Sequence, residues 1–454
     1  MLEQPPLVAP RRGINGESNK LHPEDRAAHD WYRFVLSYPP HLVRDYVRKF
    51  GLSSEQVVLD PFSGTGTTVV ECKKLGIPSV GIEATPMAHF AGNVKIDWTP
   101  DPAGLVEHSR IVANAARAQL RRDGIEEGRV VAEDAGDCGL APLLRELPPE
   151  TAKILLTHSI SPLPLHKTLV LLDCLEQCRD ARYYNHQRLA LAHALISSIS
   201  NLRFGPEVGV GPAKDDAPVI EAWLADVERI AHDLERLQQL DDTPAEIRLA
   251  DARQIVNLLA PQSVDAVITS PPYPNEKDYT RTTRLEAVLL GFITNKAELQ
   301  ALKRTLVRSN TRSVYKNDDD DQWVADHAEI QRIAEEIEAK RIRLGKTSGF
   351  ERMYARVTKL YFGGMMRHLA DLRTVLRPGA QLAYVVGDQA SYLQIMIRTG
   401  ELLADLATSL GYEVVSIDLF RTRLATATKQ QLREEVVVLR WTGEAKDPPF
   451  RMIS

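Results

Sequence analysis

Several groups of residues in this chain have types and spacings that chemistry can use. The stretch VITSPPYPNEKDYTR, Val267 to Arg281, sets Ser270, Pro271, Pro272 and Tyr273 directly behind a short apolar, β-branched run, VDAVITS. Proline has no backbone donor and fixes its own φ, so Pro271 ends the strand. The loop then starts at a strand's carboxyl end, the edge of an open α/β sheet where ligands bind. A rigid turn with a tyrosine lid over the core is the plainer alternative. Far upstream, VVLDPFSGTGTTVVECKKLGIPSVGIEATP reads as a strand over Val57–Leu59, a turn carrying Gly64 and Gly66, and a helix opened by Thr67 and Thr68. Glycines let backbone approach a ligand closely, and a helix start offers unpaired N–H groups. The next strand, SVGIE, ends in Glu83, about twenty residues beyond the loop, where an acid can accept hydrogen bonds from both ribose hydroxyls of a nucleoside. In AEIRLADARQI, Asp251 follows a third short apolar stretch and is placed to accept from an adenine amino group. A plain αβ turn and a surface aspartate are the alternatives at these two places. Taken in order, the three strand ends make a cofactor cleft with a proline loop beside it.

Composition sets the frame around these residues. The chain has 454 residues, 44% hydrophobic and 26% charged, enough for two or three domains of an ordinary water-soluble type. No apolar run approaches the roughly 20 residues that span a bilayer, and the start MLEQPPLVAPRRGINGESNK lacks a signal peptide's apolar core, so the cytoplasm is expected. Cys72, Cys138, Cys174 and Cys178 form neither paired CxxC spacing nor a dense framework, so neither structural zinc nor disulfides are expected and no metal site is assigned. A net charge of −5 neither implies nor excludes nucleic acid, for which local clustering of basic residues is what counts.

These residues together resemble the S-adenosylmethionine-dependent DNA amino-methyltransferases. DPFSGTGTT is similar to their cofactor motif, Glu83 to their ribose-binding acid, and TSPPY to the catalytic motif Asp/Asn/Ser-Pro-Pro-Tyr/Phe/Trp. WYRFVLSYPPHLV, Trp31 to Val43, resembles the stretch that covers the methionine end of the cofactor; LRPGAQLAYVVGD and YEVVSIDLF…REEVVVLRW resemble the last strands of the sheet. The resemblance implies a Rossmann-like class I methyltransferase sheet, an α/β fold with helical insertions. It implies S-adenosyl-L-methionine held by Tyr32, Phe62, Gly64, Gly66, Thr67, Glu83 and Asp251, with Asp60 shaping the loop. It also implies catalysis by Ser270, Pro271, Pro272 and Tyr273. An exocyclic base amine is a poor nucleophile, because its lone pair is delocalised into the ring. The Ser270 hydroxyl and Pro271 carbonyl would accept its N–H bonds and face it toward the methyl sulfonium, and proximity supplies much of the rate. Tyr273 would stack on the target base once it has left the duplex.

Within the family, serine before Pro-Pro leans to N4 of cytosine, and Asp or Asn to N6 of adenine. Ser270 therefore favours cytosine by association only, since both amines need the same acceptors. Methylation of cytosine carbon 5 conventionally uses a Pro-Cys pair, and none of the four cysteines follows a proline. An RNA or protein amide substrate and a silent DNA-binding relative are the other classes. Double-stranded DNA is the expected partner, in a restriction–modification or related defence system where a restriction endonuclease would act on the same site; no membrane partner is expected.

The organisation expected from these signals has five stretches: 1–100 with the cofactor motifs, a mostly helical insertion over 101–245, 246–293 with the catalytic loop, a target-recognition insertion over 294–348, and the rest of the sheet over 349–454. The first insertion, about 150 residues, is too long for a loop, and LALAHALISSISNL and VIEAWLADVERIAHDLERLQQL carry apolar residues at helical spacing. Between them Arg203–Pro218 reads as a glycine- and proline-rich loop. VVAEDAGD followed by AKILLTHSISPLP echoes the order of the catalytic region, and would make Asp134 the adenine partner; Asp251 is preferred because it directly precedes the catalytic strand. In the second insertion Lys303, Arg304, Arg308, Arg312, Lys316, Lys340, Arg341, Arg343 and Lys346 are candidates for phosphate and base contacts, and the run Asp318 to Asp321 should face away from a duplex.

Overall fold

The computed structural model describes residues 20–33, 37–125, 143–205, 207–275, 277–424 and 431–446. Seven strands form one sheet: β1 (Val58–Asp60), β2 (Ser79–Glu83), β3 (Ala245–Leu249), β4 (Val264–Thr269), β5 (Leu376–Gly387), β6 (Tyr412–Leu424) and β7 (Gln431–Trp441). Their order across the sheet is β3-β2-β1-β4-β5-β7-β6. The first five are parallel, with Asp60 opposite Gly81 and Val58 opposite both Ser79 and Ala266. β7 runs antiparallel to both its neighbours.

This order sets the place of the site. From β1 the chain moves outward through β2 to β3, then returns across β1 to begin β4 on its other side. The reversal opens a crevice at the carboxyl ends of β1 and β4, where ligands bind in doubly wound sheets.

The parallel strands read as continuous apolar runs because both of their faces are covered. Side chains alternate across a strand. Val58, Ala266, Ile268 and Val385 pack with the helix Pro40–Phe50, while Leu59, Val267, Leu382 and Tyr384 pack with the helices Tyr354–Leu372 and Thr399–Ser409. The first insertion is helical as expected, with long helices at Pro102–Arg122, Pro162–Gln177, Tyr184–Ala194 and Val219–Leu237. Val219, Ile220, Trp223, Val227, Ile230 and Leu234 are all buried, which is the three-and-four spacing made into a packed stripe. They share a core with the helices Thr67–Lys74 and Pro86–Ile96, so the insertion is welded to the sheet's flank.

Two expectations change. The stretch read as a loop over Arg203–Pro218 contains most of a two-stranded ribbon, Leu202–Phe204 against Val208–Val210. The echo AKILLTHSISPLP forms no strand; it is turns followed by the helix Pro162–Gln177, which Pro162 opens at the N-terminal position proline favours. The strand beside β2 is β3, so Asp251 stands at the sheet's carboxyl edge, and Asp134 lies outside the described residues. Among the described residues no helix is long and apolar enough to cross a membrane.

Candidate active site

The turn after β1 is built around Asp60, which is fully buried. Its Oδ1 accepts from the Phe62 amide at 3.2 Å and the Thr269 hydroxyl at 2.6 Å, and its Oδ2 accepts from the Tyr38 hydroxyl at 3.1 Å. Burial pushes this carboxyl up to about 6, against the pull of these donors. Because Thr269 is the last residue of β4, Asp60 ties the glycine turn after β1 to the start of the Ser-Pro-Pro-Tyr loop. Gly64 has φ +53 and Gly66 φ +86, the left-handed region that glycine enters without penalty. At Gly66 a side chain would also press on Gly92 and Ile247.

Glu83 ends β2 facing this turn. Its Oε2 accepts from the Gly64 amide at 2.8 Å, and its Oε1 accepts from the Thr85 amide at 2.7 Å and the Thr85 hydroxyl. A carboxylate has about four lone-pair sites, so these bonds leave one on Oε2 for a ligand hydroxyl. Asp251, after β3, is gripped by Arg253: its Oδ1 accepts from the Arg253 amide at 2.9 Å and from Nε at 3.0 Å, and its Oδ2 from a terminal nitrogen at 2.7 Å.

Across the crevice, Ser270 donates its hydroxyl hydrogen to the Val385 carbonyl at 3.1 Å, which leaves the oxygen lone pairs free to accept. The Tyr273 amide donates to the Tyr279 hydroxyl at 3.2 Å. The Tyr273 ring lies where a side chain on Gly387 would sit, since a Cβ there would come within 3.1 Å of it. Burial pushes the Tyr273 hydroxyl well up, so it stays neutral.

Phe62, Gly64, Thr67, Glu83 and Asp251 share one cavity of about 460 Å³ with Ser270, Pro271, Pro272 and Tyr273. Three residues expected at the cofactor do not reach it. Asp60 lies behind the turn, and Gly66 packs at its back. Tyr32 is a correction: it is 1% exposed in the helical core and donates its hydroxyl to Glu286 at 2.5 Å. The tyrosine of that segment which lines the cavity is Tyr38, six positions on, beside Ser37. The segment was legible by resemblance, but which of its two tyrosines lines the cavity is fixed by tertiary packing that no periodicity records.

The Tyr32 pair has its own consequence. Burial pushes Glu286 from 4.5 up to about 7, and its Oε2 has no hydrogen-bond partner. A carboxyl that holds its proton more tightly when folded stabilises below its unfolded pKa and loses that contribution as pH rises through the folded value. Glu286→Gln cannot titrate. Its stability relative to wild type should therefore rise between pH 4.5 and about 7, by up to about 3 kcal/mol, and level off above that, in thermal melts across pH.

The second insertion walls the cavity rather than standing apart from it. Val307, Ser309, Asn310 and Ser313 line it; the Asn310 amide donates to the Lys277 carbonyl at 3.1 Å and Tyr392 donates to the Ser309 carbonyl at 3.0 Å. Two of the candidate DNA-binding cations are spent internally: Lys303 pairs with Asp278 at 2.7 Å, and Arg308 grips Asp318 with bonds of 2.9 and 2.7 Å. The acidic run is partly internal: Asp319 is exposed, while Asp318 and Asp320 are held by Arg308 and Arg253. Asp320 is buried and accepts from Arg253 at 2.5 Å and Arg367 at 3.2 Å. Its carbonyl sits against the helix Tyr354–Leu372 at Gly363, where a Cβ would be 1.8 Å away, so only glycine admits that approach.

Arg253 thus joins the Asp251 carboxylate at the cavity to the insertion. Arg253→Ala would leave Asp251 and Asp320 without their shared cation, and breaking a buried pair on one side costs about 3–5 kcal/mol. Denaturant titration should show a loss of that order, together with weaker cofactor binding.

A parallel five-stranded run with an antiparallel pair at one edge and a crevice at the reversal is the α/β, Rossmann-like sheet architecture of class I methyltransferases. A family model described as DNA methylase matches residues 15–89. The chain is 25% identical to the type II methyltransferase M.BsoBI of Geobacillus stearothermophilus over 95% of this chain and 86% of that one, and 23% identical to M.AvaI of Nostoc sp. over 92% and 85%. A shorter match, 34% over 68 residues, is to M.MjaII of Methanocaldococcus jannaschii. These matches support an amino-methyltransferase of the N4/N6 DNA type, and that likeness together with the fold implies S-adenosylmethionine as the methyl donor.

Proposed function

We propose that the chain is a type II DNA methyltransferase that methylates the N4 amino group of cytosine in double-stranded DNA, within a restriction–modification system whose endonuclease reads the same site. The observation that carries the reading is that the Ser270-Pro-Pro-Tyr273 loop and the carboxylates Glu83 and Asp251 line one cavity. The names of M.BsoBI and M.AvaI, which align over nearly the whole chain, support the type II assignment.

The residues present suit the cofactor. The free lone pair on Glu83 would take a ribose hydroxyl, the Gly64 and Thr67 backbone would lie along it, and Asp251, both of whose oxygens already accept from Arg253, would share one of them with the adenine amine. When bound, S-adenosylmethionine supplies an electrophilic methyl group. The chain's own part is to hold the amine. With its hydrogen on Val385, Ser270 Oγ accepts one N–H bond and the Pro271 carbonyl the other, so the nitrogen lone pair is released toward the methyl donor and in-line geometry supplies much of the rate. Tyr273 stacks on the flipped base, which must leave the duplex to be reached. Arg304, Arg312, Lys316 and Arg343, on the exposed side of the second insertion, would meet the duplex and read it.

Nucleoside mass spectrometry on plasmid DNA from cells expressing the protein, beside a Ser270→Ala control, tests this. N4-methylcytosine with wild type alone is expected. N6-methyladenine would keep the mechanism and overturn the base, and neither mark would turn the substrate to RNA or protein.

A further inference from the structure

Three cations stand at the catalytic end of the cavity and have no role in the chemistry above. Lys277 follows the proline loop, and Arg421 and Arg423 project from β6; all three line the cavity beside Tyr273. Glu434, on β7, pairs with Arg421 at 2.5 Å and with Arg423 at 3.5 Å. A Cβ on Gly387 would touch both the Tyr273 ring, at 3.1 Å, and the Glu434 side chain, at 3.3 Å, so this charged cluster abuts the stacking tyrosine.

The charges do not balance. Lys277 has no ion-pair partner among the described residues; Glu434 and Glu207 are the carboxylates whose fields reach it, and Arg423 is the cation that opposes it. Asp388 is nearby but committed to Arg398 and Arg433. Among the described residues of this cluster, Lys277, Arg421 and Arg423 meet two carboxylates, Glu434 and Glu207, which leaves a surplus of one positive charge on a half-buried wall. The lysine is held partly out of water, where burial and Arg423 both press its pKa down, an arrangement that costs free energy without a ligand.

We propose that Lys277 and Arg423 form a phosphate-binding site for one phosphodiester of the flipped target nucleotide. A phosphodiester carries one negative charge, which matches the surplus. A base stacked on Tyr273 must also leave its backbone at the cavity's catalytic end, where Arg423, with 42% of its side chain exposed, presents a guanidinium fork suited to phosphate oxygens. Glu434 holds both arginines in register and keeps the empty site from being over-charged. The site thus clamps the sugar–phosphate of the nucleotide that the Ser270 loop acts on, independent of sequence. This inference rests on the reading that DNA is the substrate.

Full-length Lys277→Gln and Arg423→Gln variants are the test, with binding to a plasmid-derived duplex measured from 50 to 200 mM KCl, KM for DNA in methyl transfer, and cofactor affinity by calorimetry. Each variant should bind duplex roughly tenfold more weakly, with a log–log salt slope shallower by about 0.9, the signature of one lost phosphate contact. Cofactor affinity should stay at the wild-type value, which also reports an intact fold, and Lys277→Arg should recover most of the loss. Unchanged salt slope and KM in both variants would overturn the site. So would a loss of cofactor affinity that matches the loss for DNA, since the cations would then be serving a cofactor carboxylate. Wild type that modifies no DNA would instead sink the reading beneath it, and the site with it.

Discussion

Ser270→Ala should lower the single-turnover rate of methyl transfer by on the order of 10²-fold or more while leaving cofactor affinity within about twofold of wild type, because a positioned acceptor acts mainly on the transition state. The geometry separates the two effects. Ser270 Oγ bonds to the Val385 carbonyl and lies within hydrogen-bond reach of Tyr273, whereas Gly64 and Glu83 are held by other contacts. Removing the hydroxyl costs the fold about 1 kcal/mol, the net worth of one hydrogen bond. What disappears is the acceptor that frees the amine's lone pair, and nothing nearby replaces it, since Thr269 is committed to Asp60. Ser270→Asn restores an acceptor and should recover part of the rate, as an alanine-like structural lesion would not. A titration in which Ser270→Ala no longer binds the cofactor would show that the loop has been given the wrong role.

The elements that carry this site were legible because they follow local rules. SVGIE is β2 over the same residues, VDAVITS is β4 short of its last residue, and the strand read over Val57–Leu59 lies one residue further on, at Val58–Asp60. Each is a short β-branched run closed by proline, glycine or an acid, and the helix does begin at Thr67. The cavity-lining roles of Gly64, Glu83, Asp251 and Ser270 came with the strand ends, because the sheet order delivers those ends to one edge. What stayed hidden is long-range. Nothing in DARQIV says that Arg253 will span from Asp251 to Asp320, 67 positions later. Lys303 and Arg308 have the composition of a DNA-binding face and are instead buried struts, because their partners Asp278 and Asp318 are brought to them by tertiary packing. The same blindness placed Tyr32 at a cavity that Tyr38 lines instead, and left Arg421, Arg423 and Glu434 inside what read simply as closing strands.

Glu83→Ala should produce the opposite pattern from Ser270→Ala: cofactor Kd raised roughly 10- to 100-fold, which is one charge-assisted hydrogen bond of about 1.5–3 kcal/mol, with the rate at saturating cofactor largely kept. The estimate uses one bond to the ligand because three of the carboxylate's lone-pair sites are already taken by Gly64 and Thr85. The sequence had suggested that both ribose hydroxyls bind this acid. If they do, the Thr85 hydroxyl must turn away from Oε1, and Thr85→Val, which frees that site in advance, should leave cofactor affinity equal or better. If only one hydroxyl binds Glu83, Thr85→Val should weaken the cofactor slightly by loosening the carboxylate. Glu83→Gln adds a second constraint: its amide has one carbonyl oxygen, so it cannot accept at once from Gly64 and from Thr85 on the far side, and it should fall between wild type and alanine. Calorimetric titration of the three variants distinguishes these cases. A Glu83→Ala protein that bound the cofactor as wild type does, and lost only turnover, would move the ribose elsewhere in the cavity and leave Glu83 as a brace for the glycine turn.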